Sequence, residues 1–200
     1  MKGLGKCFHQ CGTSKGHVGF HTLYESVIGP RRDRQISLLE IGVDRGYSLE
    51  AWLQWMPKAR VCGIDTFEKY PSDGIKVLSH PRVSWLQRDS TQPVLPEIGM
   101  FDYIIDDGCH WFDAQAATFT NYWPLVYSGG SYFIEDVWPW DLMSDDDKQH
   151  QCILNRPGAF STEQFARLLD TISVGDVHRH DFRGIEGLKN SDHYILEIRK

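Results

Sequence analysis

Two hundred residues, 41% hydrophobic and 24% charged, are enough for one domain with a substantial core. A formal net charge of −6 argues against a nucleic-acid partner held by a broad basic field. No run approaches the roughly 18–20 apolar residues of a membrane span, and Met1–Lys6 lacks the apolar core of a signal peptide. A cytoplasmic location is therefore the expectation. Seven Trp, eight Tyr and ten Phe are a generous aromatic supply, and some should line a pocket.

Residues 1–35 precede the first sheet strand and read as a helical cap segment. Phe20, Leu23, Tyr24, Val27 and Ile28 recur at helical spacing until Gly29-Pro30 ends the run. Such a helix covers one end of a sheet; whether it also closes over a ligand stays open. Five cysteines form no disulfide framework. Cys7 and Cys11, with His17 or His21, do not match the common zinc spacings, and reduced thiols near a mobile N-terminus are the preferred reading.

Leu38, Leu39 and Ile41 mark a short buried strand over 36–42, after which Gly42 and Gly46 turn the chain into a helix over 47–56. Leu49, Trp52, Leu53 and Met56 form its inner face, and Pro57 stops it. A dinucleotide fingerprint places a glycine two residues after the first, where Asp44 stands. The pattern Glu40-x-Gly42-x-x-x-Gly46 instead resembles the first motif of class I S-adenosylmethionine (SAM) methyltransferases.

The second strand, 60–65, ends at Asp65. An acid about 20 residues beyond the glycine loop can accept hydrogen bonds from ribose hydroxyls, or it can cap a helix. Residues 66–79 read as turns with a short helix near 74–78, and Val83–Gln87 as a third strand ending at Asp89-Ser90. In methyltransferases the residue after this strand touches adenine, so Asp89 is either an acceptor for its amine or a turn residue.

A fourth strand over 101–107 leads to a helix from Trp111 to Trp123, and Ser128-Gly129-Gly130 reads as a turn before a fifth strand over 131–134. Residues 137–158 are turn-rich, holding Trp138, Trp140, the triplet Asp145-Asp146-Asp147 and Arg156-Pro157-Gly158. They form either a lid over an acceptor or a solvated loop with one tryptophan packed inward. A helix over 160–172 and strands over 177–182 and 193–198 close the chain. The expected fold is α/β, a Rossmann-like three-layer sandwich whose mostly parallel seven-stranded sheet ends in an antiparallel strand pair. Residues 36–200 form that domain.

Two strand ends carry paired acids, Asp106-Asp107 and Glu135-Asp136, with Gly108-Cys109-His110 between them. Carboxylates converging at one sheet rim repel each other and raise each other's pKa values unless a cation intervenes. All-oxygen ligands suit Mg²⁺, Mn²⁺ or Ca²⁺ rather than Zn²⁺.

The stretches 104–110 and 133–136 resemble the paired motifs of the metal-dependent sugar O-methyltransferases of macrolide biosynthesis, a family that includes relatives labelled cephalosporin hydroxylases. Thr13-Ser14-Lys15-Gly16, followed by Tyr24-Glu25, is similar to the family's Thr-Asp-Lys-Gly segment. Leu39–Leu49 and Gly63-Ile64-Asp65 extend the match over roughly residues 13–136. The resemblance implies that Asp107, Glu135 and Asp136 hold Mg²⁺, with Mn²⁺ as an alternative, and that His110 is the general base. It implies SAM contacts from Thr13, Lys15, Glu40, Gly42, Gly46, Ser48, Asp65, Asp89 and Ser90. Asp106 either faces the cofactor or buttresses the turn. Cys109 stands where members often carry Ser, and Ser14 where they carry Asp.

The function so implied is methyl transfer from SAM to a hydroxyl of a small acceptor, a sugar or other diol-bearing metabolite. A cation bound to two vicinal oxygens fixes their direction and lowers the pKa of the attacking one. A catechol-type or other SAM-using enzyme, or a non-catalytic SAM-binding protein, are the alternatives; a nucleic-acid methyltransferase is least favoured. The 200 residues do not contain the separate N-terminal domain of the macrolide enzymes, so the resemblance carries over no acceptor identity. It leaves a homo-oligomer open.

Overall fold

The computed structural model describes residues 2–94, 96–155, 157–184 and 192–200. Seven strands, β1 (Ser37–Ile41), β2 (Arg60–Asp65), β3 (Val83–Gln87), β4 (Phe101–Asp106), β5 (Val126–Ile134), β6 (Asp176–Asp181) and β7 (Tyr194–Arg199), make one sheet in the order β3-β2-β1-β4-β5-β7-β6. The pairs among β1 to β5 are parallel, and β7 runs antiparallel to both β5 and β6. This is the expected topology. It follows from strand–helix alternation up to β5 and a final pair without room for a crossover helix.

Six α-helices accompany the sheet among the described residues: α1 (Leu4–Cys11), α2 (His21–Val27), α3 (Tyr47–Trp55), α4 (Phe112–Tyr122), α5 (Asp145–Leu154) and α6 (Thr162–Ile172). Strand side chains alternate between faces. Leu38, Ile105, Phe133 and Ile195 join Leu49 and Trp52 in one core layer. Leu39, Ile104, Tyr132 and Leu196 join Phe119, Phe165 and Leu168 in the other. Three layers result, as the sequence predicts. None of the described helices is long and apolar enough to cross a membrane.

Three expectations need correction. The segment taken as a mobile N-terminus forms α1, with Leu4, Cys7 and Phe8 fully buried and the Phe8 ring edge-on to Trp52 at 5.0 Å. Cys7 is thus a core residue, and burial pushes its thiol pKa upward. Neither Cys7 nor Cys11 belongs to a potential metal-holding group among the described residues.

Ser128-Gly129-Gly130 does not end a turn before β5 but lies inside the strand. The register against β4 shifts there, between Phe101 and Tyr103, so the glycines mark a bulge. Gly129 has φ +80°, and a Cβ on Gly130 would sit 2.3 Å from the Asp102 carbonyl oxygen.

Finally, the 137–158 loop contains α5. Ser144 caps it by accepting from the Asp147 amide at 3.1 Å, and Asp145, Asp146 and Asp147 occupy the first turn, where the helix dipole favours negative charge. Leu95 and Arg156, read as loop residues, lie outside the described residues.

Glu197 shows how the closing pair is secured. Its side chain is buried on β7, where it accepts from Arg199 Nε at 2.7 Å and faces His180 Nε2 at 3.1 Å. Burial raises its pKa, but the hydrogen bonds from His180 and Arg199 outweigh this and bring it from 4.5 to about 2. A lowered carboxylate pKa stabilises fully above pH 4.5, and the benefit is lost as pH falls through about 2. The Glu197→Gln variant should therefore be about 2 kcal/mol less stable at neutral pH. In urea unfolding across pH 7 to 2, the gap from the native chain should close at the acid end. A constant gap would contradict the assignment.

Candidate active site

Strands β1, β2, β4 and β5 end at one rim of the sheet, where open α/β folds place their ligands. The chain turns from β1 to α3 through Gly42, which has φ +89°. A Cβ there would lie 2.0 Å from the Asp107 carbonyl oxygen, so the turns after β1 and β4 pack backbone to backbone. Asp65 ties down the same turn. Its Oδ2 accepts from the amides of Val43 at 2.8 Å and Asp44 at 3.1 Å, while Oδ1 accepts from Phe67 at 2.7 Å.

Above this turn opens a cavity of about 710 Å³, inside the range of roughly 300–1,000 Å³ typical of ligand pockets. Thr13, Lys15, Gly42, Ser48, Asp65, Asp89, Ser90, Asp107, His110, Glu135 and Asp136 all line it. Asp89 accepts from both the amide and the hydroxyl of Thr91, at 2.9 and 2.7 Å, and these bonds hold its pKa below the usual carboxylate range. Ser90 Oγ lies 3.0 Å from Thr118 Oγ1.

Glu40, Gly46 and Asp106, expected to contact cofactor, do not line the cavity. Gly46 packs against Ile75 and Val77. Glu40 is buried beneath the glycine turn, where it accepts from Ser48 Oγ at 2.9 Å. Burial, against the pull of Lys15, raises its pKa to about 8. Asp106 buttresses its own turn: it accepts from the Tyr132 hydroxyl at 3.2 Å and the Gly108 amide at 3.3 Å. Burial, opposed by those bonds, lifts its pKa to about 7.

The centre of the rim is Lys15. The connection between α1 and α2 forms a short 3₁₀ turn over Ser14–Gly16, which Thr13 caps through its hydroxyl. This turn delivers the Lys15 ammonium into the carboxylate cluster, so the N-terminal segment is part of the site as well as a cover for the sheet. Lys15 is 4% exposed. Its Nζ donates to Asp107 Oδ2 at 2.6 Å and to Glu135 Oε2, and lies 3.7 Å from Glu40 Oε1. The Tyr24 hydroxyl donates to the other Glu135 oxygen. Burial raises the Asp107 pKa, but Lys15 and His110 overcome it and bring Asp107 down to about 2. Burial dominates for Glu135 and Asp136, which rise to about 7.

His110 Nε2 lies 3.3 Å from Asp107 Oδ1 and 4.0 Å from Asp136 Oδ2, and its Nδ1 lies 3.8 Å from Asp192 Oδ2. Burial works against its charged form, but hydrogen bonds to Asp107 and Asp192 win and raise its pKa well above the ordinary value.

Of the expected metal ligands, Asp107 and Asp136 meet at the rim beside His110. Donor atoms of Asp107, His110 and Asp136 lie within 4.8 Å of one another, as do those of Asp136, Asp192 and His193. Glu135 belongs to neither group. It is 1% exposed and held by Lys15 and Tyr24. A divalent cation fits the remaining groups chemically, because they offer carboxylate and imidazole donors and Asp136 Oδ1 is buried without a hydrogen-bond partner. Asp192 and His193 approach Asp136, and Arg45, Lys69 and Tyr70 line the cavity, although the sequence analysis singles none of them out. Arg45 lies within the glycine turn between Gly42 and Gly46, while the others sit in no local pattern that signals a site.

No known family profile matches the chain. Over 130 residues it is 35% identical to the 8-demethyl-8-(2-methoxy-alpha-L-rhamnosyl)-tetracenomycin-C 3'-O-methyltransferase of Streptomyces olivaceus, a match covering 60% of this chain and 32% of that protein. It is 31% identical over 116 residues to the mycinamicin VI 2''-O-methyltransferase of Micromonospora griseorubida, covering 54% of this chain and 28% of the relative. The chain thus spans about a third of the length of these curated relatives. Among solved structures, the MycE methyltransferase of mycinamycin biosynthesis, in complex with Mg, SAH and mycinamycin VI, superposes over the whole chain and 53% of its own, with a TM-score of 0.70 at 22% identity. The fold is that of SAM-dependent methyltransferases. A methyltransferase of tomaymycin synthesis from Streptomyces achromogenes, in complex with SAM, superposes on 97% of the chain with a TM-score of 0.60. In a methyltransferase fold of this kind, the cavity described here lies at the ends of the parallel strands.

Proposed function

We propose that this chain binds SAM in the 710 Å³ cavity and, with a divalent cation of the Mg²⁺ or Mn²⁺ type, methylates a hydroxyl of a small sugar- or diol-bearing acceptor. The observation that carries the reading is the meeting of two cavities at His110. A second cavity of about 400 Å³ is lined by Gly108, His110, Trp111, Trp138, Asn155 and Phe160, among others, and shares Gly108 and His110 with the first. An acceptor there would lie between aromatic faces suited to the C–H surface of a sugar, with polar groups for its hydroxyls. Trp138 lines this space, while Trp140 packs inward on Phe160 and Phe112.

Bound SAM supplies the methyl group as an activated sulfonium, and a bound cation lowers the pKa of the attacking hydroxyl. The protein supplies position and a proton acceptor. Gly42 and Asp65 shape the floor under the cofactor, and Asp89 and Ser90 stand at the far wall. His110, at the junction, takes the hydroxyl proton at an imidazole nitrogen once the charges of Asp107 and Asp136 are offset. Asp107 then holds the imidazole in register.

The test is incubation of the purified chain with SAM, Mg²⁺ and a panel of glycosides bearing free vicinal hydroxyls, following S-adenosylhomocysteine (SAH) formation. Turnover that EDTA abolishes and Mg²⁺ or Mn²⁺ restores is expected. Turnover indifferent to EDTA, or seen with catechols alone, would overturn the reading.

A further inference from the structure

We propose that Asn121, on α4, is a positioning residue for the cofactor's adenine. It sets the peptide between Ser90 and Thr91 so that the Asp89 carboxylate meets the exocyclic amine. The inference rests on the SAM-binding reading above and identifies how this chain tells adenine from other bases.

The loop after β3 places Asp89, Ser90 and Thr91 in the wall of the larger cavity. Behind it runs α4, where Thr118 and Asn121 stand three residues apart and so share one face. Asn121 Nδ2 donates to the carbonyls of Ser90 and Gln92, both at 3.0 Å, which engages both of its amide hydrogens. Thr118 is buried, and its Oγ1 lies 3.0 Å from the Ser90 hydroxyl. The helix itself is anchored in the core by Phe112, Phe119 and Tyr122. Neither Thr118 nor Asn121 lines the cavity.

A planar trans peptide points its C=O and N–H in opposite directions. The Ser90 carbonyl goes to Asn121, so the Thr91 amide of the same peptide goes the other way. There it donates to Asp89 Oδ1 at 2.9 Å. The Thr91 hydroxyl donates to the same oxygen at 2.7 Å. One peptide unit therefore connects the helix to the carboxylate. An ionised carboxylate has about four acceptor positions, so Thr91 does not exhaust it. It donates nothing, which suits an amine and opposes a carbonyl oxygen in the same place. Asp89 thus selects adenine over its deaminated counterpart hypoxanthine, and Asn121 aims it without touching the ligand.

The experiment is calorimetric titration of the full chain with SAH and with S-inosylhomocysteine, whose base carries an oxygen in place of the amine. The native protein is compared with Asn121→Ala, Asn121→Asp, Thr118→Val and Asp89→Asn, and thermal unfolding of each checks folding. The native chain should prefer SAH by at least about tenfold, since a hydrogen bond to a charged group is at stake. Either Asn121 variant should lose about fivefold or more of that preference, through weaker SAH binding. On the Asp89→Asn background, Asn121→Ala should change SAH affinity by less than about twofold, because the two residues act through one path. A merely structural Asn121 would weaken both ligands alike and leave the preference intact. That result, or equal native affinity for the two ligands, would overturn the inference and leave the SAM-binding reading standing. Absence of SAH binding by the native chain would overturn both.

Discussion

The Lys15→Met variant should unfold at a markedly lower urea concentration, with about 3–5 kcal/mol of stability lost. Methionine matches the lysine stem in length and apolar character, so packing is nearly preserved and the change isolates the charge. What it removes is the ammonium that sits between Asp107 and Glu135, with Glu40 at 3.7 Å. Glu40 and Glu135 are essentially inaccessible to water. Without Lys15 they must be neutralised or remain as uncompensated buried charges, and breaking a buried pair from one side is the costly case. A second substitution identifies the cause. In Lys15→Met/Glu135→Gln, one orphaned carboxylate is gone, so the double variant should be more stable than the sum of the single effects implies, by at least about 1 kcal/mol of coupling. Unfolding of Lys15→Met at the native urea midpoint would contradict the central place given to this residue.

The second large effect is on rate. His110→Ala should reduce methyl transfer to the acceptor by about 100- to 10,000-fold, the usual range for loss of a positioned general base. SAH affinity should stay at the native level. The argument is positional, since His110 is shared by the two cavities and faces Asp107 and Asp192 through opposite ring nitrogens. The measurement is single-turnover rate on an active glycoside, with SAH binding measured in parallel. An unchanged rate would remove His110 from the proton transfer; a lost cofactor affinity would make it a structural residue of the cavity.

Much of the sheet was legible because its signals are local. Leu38–Ile41 is a short apolar run stopped by Gly42, and the paired acids mark where β4 and β5 end. The helix α1 was missed although Leu4, Cys7 and Phe8 have helical spacing, because the run is only eight residues long and glycines flank and interrupt it. The helix α5 buries no residue, so it carries no apolar period, and only its Ser144 cap and acidic first turn announce it.

Site residues divide along the same line. The expected site residues in the turns after β1, β3 and β4 reach the cavity, as their place in the chain suggests, except Gly46, which packs on Ile75 and Val77. Glu40 and Asp106 belong to strands, and their side chains go beneath the rim to Ser48 and Tyr132. The alternation of side chains along a strand sends Asp106 and Asp107 in different directions. The approach of Asp192 and His193 to Asp136 depends on β7 returning antiparallel beside β5, a pairing that no local pattern encodes. The meeting of Lys15 with Asp107 and Glu135 is equally non-local, bridging 92 and 120 residues of sequence.

Calorimetric titration of the chain with SAH, in the absence of added metal, tests the central claim most directly. Saturable binding of one SAH per chain, competed by SAM, is the predicted result, and it would place the cofactor in the cavity that Gly42 and Asp65 shape. No heat of binding at SAH concentrations up to the millimolar range would contradict it, and with it the reading of the whole strand-end site as a methyltransferase centre.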